Sequence, residues 1–155
     1  MNIIYITGEK FNSIGFGEAK IDCSPSRHVD GTLTVQVSNI DFSASLAQDI
    51  VSSYEDDVII TNATLTFEEV SRIKVKVALY EEDGRSFLVQ QSGEILRLKK
   101  EWIFPYENEG YTYNFGGVLD WPYGHCSIVI TAHGNVLIQF NQEDCINLRE
   151  FNLRK

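Results

Sequence analysis

Length, composition and charge already narrow what this chain can be. It has 155 residues, 43% of them hydrophobic and 23% charged, which fits a domain with an apolar core and argues against wholesale disorder. Its net charge of -9, from 22 acidic and 13 basic side chains, repels phosphate backbones and anionic lipid, so no nucleic-acid or membrane partner is expected.

The first part of the chain predicts three strands. These are expected at 2–7, 18–23 and 32–38. Apolar and polar residues alternate at 32–38, which is the period of a strand with one buried face. Gly15 and Gly17 favour a bulge or turn after the first strand, and Asp30–Gly31 is a turn signal before the third.

The segment from Asp41 to Tyr54 breaks the two-residue period. Phe42, Leu46, Ile50 and Tyr54 recur at every fourth position and would form one apolar stripe of a helix. Asp41 is a suitable N-cap residue. We therefore predict one inserted α-helix at about 41–54.

The remainder of the chain predicts strands again. They are expected at 58–67, 73–80, 86–91, 95–98, 111–115, 126–132 and 136–140, with one more short strand within 145–151. The residues between 132 and 136, His133-Gly134-Asn135, have the spacing and turn chemistry of a hairpin. The chain is therefore predicted to be a single domain, 1–155, mainly β, with an antiparallel sandwich or barrel-like fold and one helix.

Cysteine usage and the N-terminal sequence indicate a compartment. Cys23, Cys126 and Cys145 are an odd number at wide spacings, so no disulfide framework is expected. The apolar stretch at 2–7 is too short for a signal peptide, and no run reaches transmembrane length. These features predict a cytoplasmic protein.

No motif predicts a catalytic residue, a metal site or a cofactor. Cys23 and His28 have a tolerable ligand spacing, but His125 and Cys126 are neighbours and would face opposite sides of a strand. Ser127 lacks a nucleophile elbow, and the glycine pairs at 15–17 and 116–117 lack the rest of a phosphate loop.

Two groups of residues are candidates for binding. The first is acidic and lies in a stretch without lysine or arginine: Asp41, Asp49, Glu55, Asp56 and Asp57. The second is aromatic and could line a cleft: Trp102, Tyr106, Trp121 and Tyr123, together with Tyr111 and Tyr113.

These groups define three functional hypotheses. The acidic stretch would suit a docking surface for a basic protein, as in a toxin-neutralising, immunity-type inhibitor, although a solvated helix face would have the same composition. The aromatic residues would instead suit a small-molecule or carbohydrate-binding module. With paired carboxylates such as Glu68–Glu69 also present, an enzyme of unrecognised type is the third hypothesis.

We expect the chain to fold without a metal ion or a disulfide, because its cysteines and histidines lack paired ligand spacing. Adding a reductant and a chelator together should leave the midpoint of thermal unfolding nearly unchanged. A decrease of more than about 5 °C, roughly 1 kcal/mol for a domain of this size, would contradict this expectation.

Overall fold

The fold is described from a computed structural model, over residues 2–17, 19–22, 26–27, 31–43, 57–80, 87–88, 100–103, 110–119 and 124–153. The strands in these ranges are β1 (Asn2–Ile6), β2 (Ile14–Gly15), β3 (Lys20–Ile21), β4 (Ser26–Arg27), β5 (Leu33–Ser38), β6 (Ile40–Phe42), β7 (Val58–Ile60), β8 (Ala63–Phe67), β9 (Val70–Tyr80), β10 (Phe87–Leu88), β11 (Lys100–Ile103), β12 (Tyr111–Val118), β13 (Gly124–Ala132), β14 (Val136–Phe140) and β15 (Cys145–Asn147). Two 3-10 helices cover Gly8–Ser13 and Gln142–Asp144, and one short α-helix, α1, covers Leu148–Leu153.

The prediction of a mainly β protein is confirmed. The predicted helix at 41–54 is wrong over the residues of it that the structure describes, 41–43. Asp41 and Phe42 belong to strand β6, which pairs with both β2 and β7. Residues 44–56 lie outside the described residues. The helices of the described chain are short, and the longest cover six residues each.

The strands form two sheets. The larger has the order β1-β14-β8-β5-β3-β12-β13-β9-β10, with β4 paired to β5 and β11 paired to β9. Three of its 11 strands, β3, β4 and β10, are only two residues long. The smaller sheet is antiparallel, in the order β15-β7-β6-β2. Because β3 and β12 pair in parallel, the larger sheet is mixed and not purely antiparallel as predicted.

The predicted hairpin between β13 and β14 is also wrong. β13 pairs with β12 and β9, whereas β14 pairs with β1 and β8. Residues 124–140 therefore form one long strand that bends at 133–135. Residues 63–80 form a second long strand, bent at 68–69, and the two run antiparallel along both arms. We call this pair of long strands the bent ribbon.

Three backbone hydrogen bonds hold the corner of the bent ribbon. The amide of Glu68 donates to the carbonyl of Asn135 (3.1 Å), the amide of Gly134 donates to the carbonyl of Glu68 (3.2 Å), and the amide of His133 donates to the carbonyl of Glu69 (3.0 Å). Glu69 has a positive φ of 50°, which is uncommon for a residue with a side chain. The ladder thus continues around the corner while the backbone changes direction.

A β-bulge follows the corner. The register between β9 and β13 shifts beside Ala132, which pairs with Val70, while Thr131 pairs with Arg72. Ser71, the extra residue, is 1% exposed, and its hydroxyl donates to the carbonyl of Thr131 at 3.2 Å. We refer to β1, β14, β8, β5, β4 and β3 as one half of the larger sheet, and to β12, β13, β9, β10 and β11 as the other half. Bulges increase the local bend of a strand, so this one helps the bent ribbon pass from the first half, which contains β8, to the second, which contains β9.

Three adjacent strands bend in a similar way into the smaller sheet. β5 continues as β6 through Asn39 (φ 59°), β8 is preceded by β7 through Thr61 and Asn62, and β14 continues towards β15. The register of β5 with β8 is the same as that of β6 with β7. The Thr61 hydroxyl lies 3.1 Å from Oδ1 of Asp144, and the Thr61 amide donates to the Asp144 carbonyl at 2.8 Å.

Aromatic side chains pack the two halves of the larger sheet against each other. Phe67 of β8 stacks on Phe115 of β12, with ring centroids 5.8 Å apart and an interplanar angle of 9°. Phe11, from the first 3-10 helix, contacts both rings and also Tyr113 at 5.0 Å. Since aromatic pairs add about 0.5–1.5 kcal/mol beyond area burial, this cluster is a main source of packing between the halves.

We predict that Gly134→Ala destabilises the protein, because a Cβ at this position would lie 2.7 Å from the Cβ of Glu68 and 3.2 Å from its backbone. The expected cost is about 1–3 kcal/mol, as for other overpacked sites. Urea denaturation measures it. Gly17→Ala is the control, since its Cβ meets nothing within 4 Å, and an equal loss in both variants would contradict a close approach at the corner.

Candidate functional site

The small sheet holds the two ends of the acidic stretch close together. Asp41 lies in β6 and pairs with Ile59 of β7, and Phe42 pairs with Val58. Asp57 immediately precedes Val58 and is exposed. Residues 41 and 57 therefore lie at the same end of the β6–β7 ladder, and the chain between them leaves and returns at that end.

Local contacts fix the positions of both ends. The Asp41 carboxylate lies over Gly15 of β2, where a Cβ would collide with it. The carbonyl of Asp57 accepts a hydrogen bond from the amide of Leu148, the first residue of α1, at 3.0 Å. Two carboxylates held at one end of a sheet create a negative potential there, which attracts cationic side chains.

The other predicted binding residues are not brought together by the described structure. Asp49, Glu55, Asp56, Tyr106, Trp121 and Tyr123 lie outside the described residues. Trp102 is placed by its backbone only, in β11, where it pairs with Ile73 of β9.

Tyr113 belongs to the core and does not line a cleft, so that part of the aromatic hypothesis is wrong. It is 1% exposed and packs against Phe11 and Phe67. Its hydroxyl accepts a hydrogen bond from the amide of Gly8 at 3.0 Å. Tyr111 is half-buried, and its hydroxyl accepts a hydrogen bond from the side-chain amide of Asn12 at 3.2 Å. These two tyrosines hold the first 3-10 helix over the end of the core.

His125 and Cys126 lie on opposite faces of β13, as the strand period requires. Cys126 pairs with Val77 and is fully buried, whereas the His125 ring lies beside Gly116 on the outer face. Cys145 is buried as well. Within the described residues, no group of three or more histidine, cysteine or acidic side chains has the arrangement of a metal site. Cys23 and His28 lie outside those residues.

A basic surface that the sequence reasoning missed lies on the outer face of β9. Arg72, Lys74 and Lys76 alternate with buried residues and are all exposed. Their partners on β13 are Thr131, Val129 and Ser127, which share this face. We call these six residues the basic face. Its signal in the sequence is Arg-Ile-Lys-Val-Lys, in which the strand period also aligns three positive charges.

No helix in the described part of the chain is long and apolar enough to cross a membrane. Comparison with protein-family models, with curated proteins and with solved structures finds no match to this chain.

Burial predicts that the thiols of Cys126 and Cys145 react slowly with a thiol reagent in the folded protein, because they are 0% and 5% exposed. In a Cys23→Ser variant, both thiols should become reactive only after denaturation, measured with a chromogenic disulfide reagent. Rapid reaction of Cys126 in the native variant would contradict its burial in the core.

Proposed function

We propose that this chain is a cytoplasmic, acidic interaction protein that binds a basic protein partner through the stretch from Asp41 to Asp57. A toxin-neutralising, immunity-type inhibitor is the kind of protein that this describes. The observation that carries the proposal is the pairing of β6 with β7. It anchors, at one end of the small sheet, both ends of a stretch whose charged residues are all acidic.

The anchoring matters because a binding segment loses less conformational entropy when its ends are already fixed. β6 is held by β2 and β7, and β7 is held by β6 and β15. The core beneath is apolar on both strands, with Ile40, Phe42, Val58 and Ile60 all fully buried. Both ends of the acidic stretch are thus joined to strands that pack in the core.

The charge of the stretch supports a basic partner. Between residues 41 and 57 there are five acidic side chains and no lysine or arginine, in a chain with a net charge of -9. Such a surface accelerates association with a cationic protein and repels an anionic one. Charges at the rim of an interface act mainly on the association rate, whereas a buried anchor controls dissociation.

The chemistry of the interior supports a binding role more than a catalytic one. Ser71 is the only buried polar residue among the described side chains, and its hydroxyl bonds to the backbone at the corner.

The test is charge reversal in the acidic stretch. A partner is first captured from native lysate at low salt, is identified, and is then purified. The variant Asp56→Lys/Asp57→Lys should associate with it about tenfold more slowly, and the dependence of the association rate on ionic strength should become weaker. The measurement is stopped-flow or surface-based kinetics at several salt concentrations.

The matched control is Glu9→Lys/Glu143→Lys, which changes the net charge equally at two exposed positions outside the stretch. At an ionic strength of about 0.1 M its association rate should decrease by no more than about twofold, because the Debye length is then about 10 Å and charges farther from the interface are largely screened. Equal association of the wild type and the Asp56/Asp57 variant at low salt would contradict the proposal. A purely acidic partner would contradict it as well.

A further inference from the structure

We propose that strand β1 pairs with β1 of a second copy of this chain, so that two larger sheets join edge to edge in a reversible dimer. β1 is the first strand in the order of the larger sheet, and among the described strands it pairs with β14 alone. The acidic stretch begins and ends on the smaller sheet, so the inference does not depend on the function proposed for that stretch.

The first argument is that β1 lacks the features that keep sheet edges from pairing. Proteins protect an edge with a very short strand, charged residues, proline or a bulge. β1 has five residues, none of them charged or proline, and its ladder with β14 continues without a register shift. The other edges of the described sheets are protected: β2, β4 and β10 have two residues each, β11 includes Lys100 and Glu101, and β15 has three residues and is followed by α1.

The second argument is the hydrophobic surface that β1 leaves uncovered. Ile3 is 46% exposed and Tyr5 is 63% exposed, and they are two of the four large hydrophobic side chains exposed in the described chain. On the opposite face of the strand, Ile4 is only partly buried where it packs against the core. A strand that pairs with β1 would cover all three side chains.

The third argument is that β1 is complementary to itself. Directly opposite residues of an antiparallel pair lie on the same face, and a two-fold axis at Ile4 gives the register that uses all five residues. In this register Ile3 of each copy lies opposite Tyr5 of the other, and the two Ile4 side chains lie opposite each other. Pairs of an aromatic with a β-branched residue are favourable across strands, and the dimer makes this pair twice.

The fourth argument concerns charge and size. Neither β1 nor the adjacent β14 has a charged residue, so no like charges meet in the contact although each copy has a net charge of -9. The repulsion that remains between the copies is long-range, and salt screens it. A ladder of five residues is only about 17 Å long, so the contact is smaller than the roughly 1,200 Å² of a stable interface. We therefore expect a weak dimer whose population increases with protein concentration and with salt.

The experiment is sedimentation velocity of the full chain, at low and at physiological salt. The wild type should change from monomer to dimer between about 10 μM and about 1 mM, and at lower concentration when salt is added. Amide hydrogen exchange gives a second measurement. The amides of β1 that point away from β14 should exchange at least about fivefold more slowly at the highest concentration than at the lowest, because they are then paired with the second copy.

Two variants locate the contact. Tyr5→Lys should weaken dimerisation by at least about fivefold, because the change occurs twice in the dimer and a lysine at a sheet edge disfavours pairing. Leu153→Lys is the matched control, since it makes the same change in net charge at a side chain of α1 that is 83% exposed. It should change the dissociation constant by no more than about twofold. Both variants become less negative, so added repulsion between copies does not explain a loss, and their thermal midpoints show that they are folded.

A mixture of variants tests the two-fold register. Ile3→Glu should also weaken dimerisation by at least about fivefold when it is alone. In an equimolar mixture with Tyr5→Lys, the new carboxylate of one chain lies opposite the new ammonium group of the other, and opposite charges across a ladder attract. The mixture should therefore associate at least about threefold more tightly than either variant associates with itself.

Three outcomes would overturn the proposal. The first is a wild type that stays monomeric over the whole range. If that monomer binds a labelled peptide that alternates valine with threonine, the edge receives a strand of another protein instead. The second is a dimer that Tyr5→Lys and Leu153→Lys weaken equally or not at all. The third is a mixture that associates no more tightly than its separate components.

Discussion

The structure depends on one constraint, which is that the bent ribbon must keep its backbone hydrogen bonds while it passes from one half of the larger sheet to the other. The amides at the corner remain paired, because Glu68, His133 and Gly134 each donate to a carbonyl of the opposite strand. These bonds keep the ladder of the bent ribbon continuous through the corner. The positive φ of Glu69 and the absence of a side chain at Gly134 allow the turn.

The rest of the architecture follows from that bend. Because β8 and β9 belong to opposite halves, Phe67 at the end of β8 faces β12, and it meets Phe115 and Tyr113 there. Phe11 then closes the end of the core, and the bond from Gly8 to the Tyr113 hydroxyl holds its helix in place. The second set of bends, at Asn39, Thr61 and Asp144, produces the small sheet and with it the position of the acidic stretch.

The charge of the molecule is separated by the same topology. β6 and β7 lead the chain into and out of its acidic stretch at one end of the small sheet, while β9 carries its three cations on the outer face of the larger sheet. A protein with a net charge of -9 thus presents surfaces of both signs, and each is supported by fully buried residues on the alternate positions of its strand.

The sequence by itself determined that the protein is mainly β and where most strands lie, because the two-residue period acts locally. The strand partners were decided by the tertiary structure, since ladder hydrogen bonds use backbone groups common to all residues. The turn sequence His133-Gly134-Asn135 therefore fitted a hairpin and a corner equally well. Phe42 illustrates the same limit: its four-residue spacing to Leu46 predicted a helix, but pairing with Val58 made it part of a strand. The alignment of Lys74 and Lys76 was present in the sequence, but only the pairing with β13 revealed that no acid lies beside them on that strand.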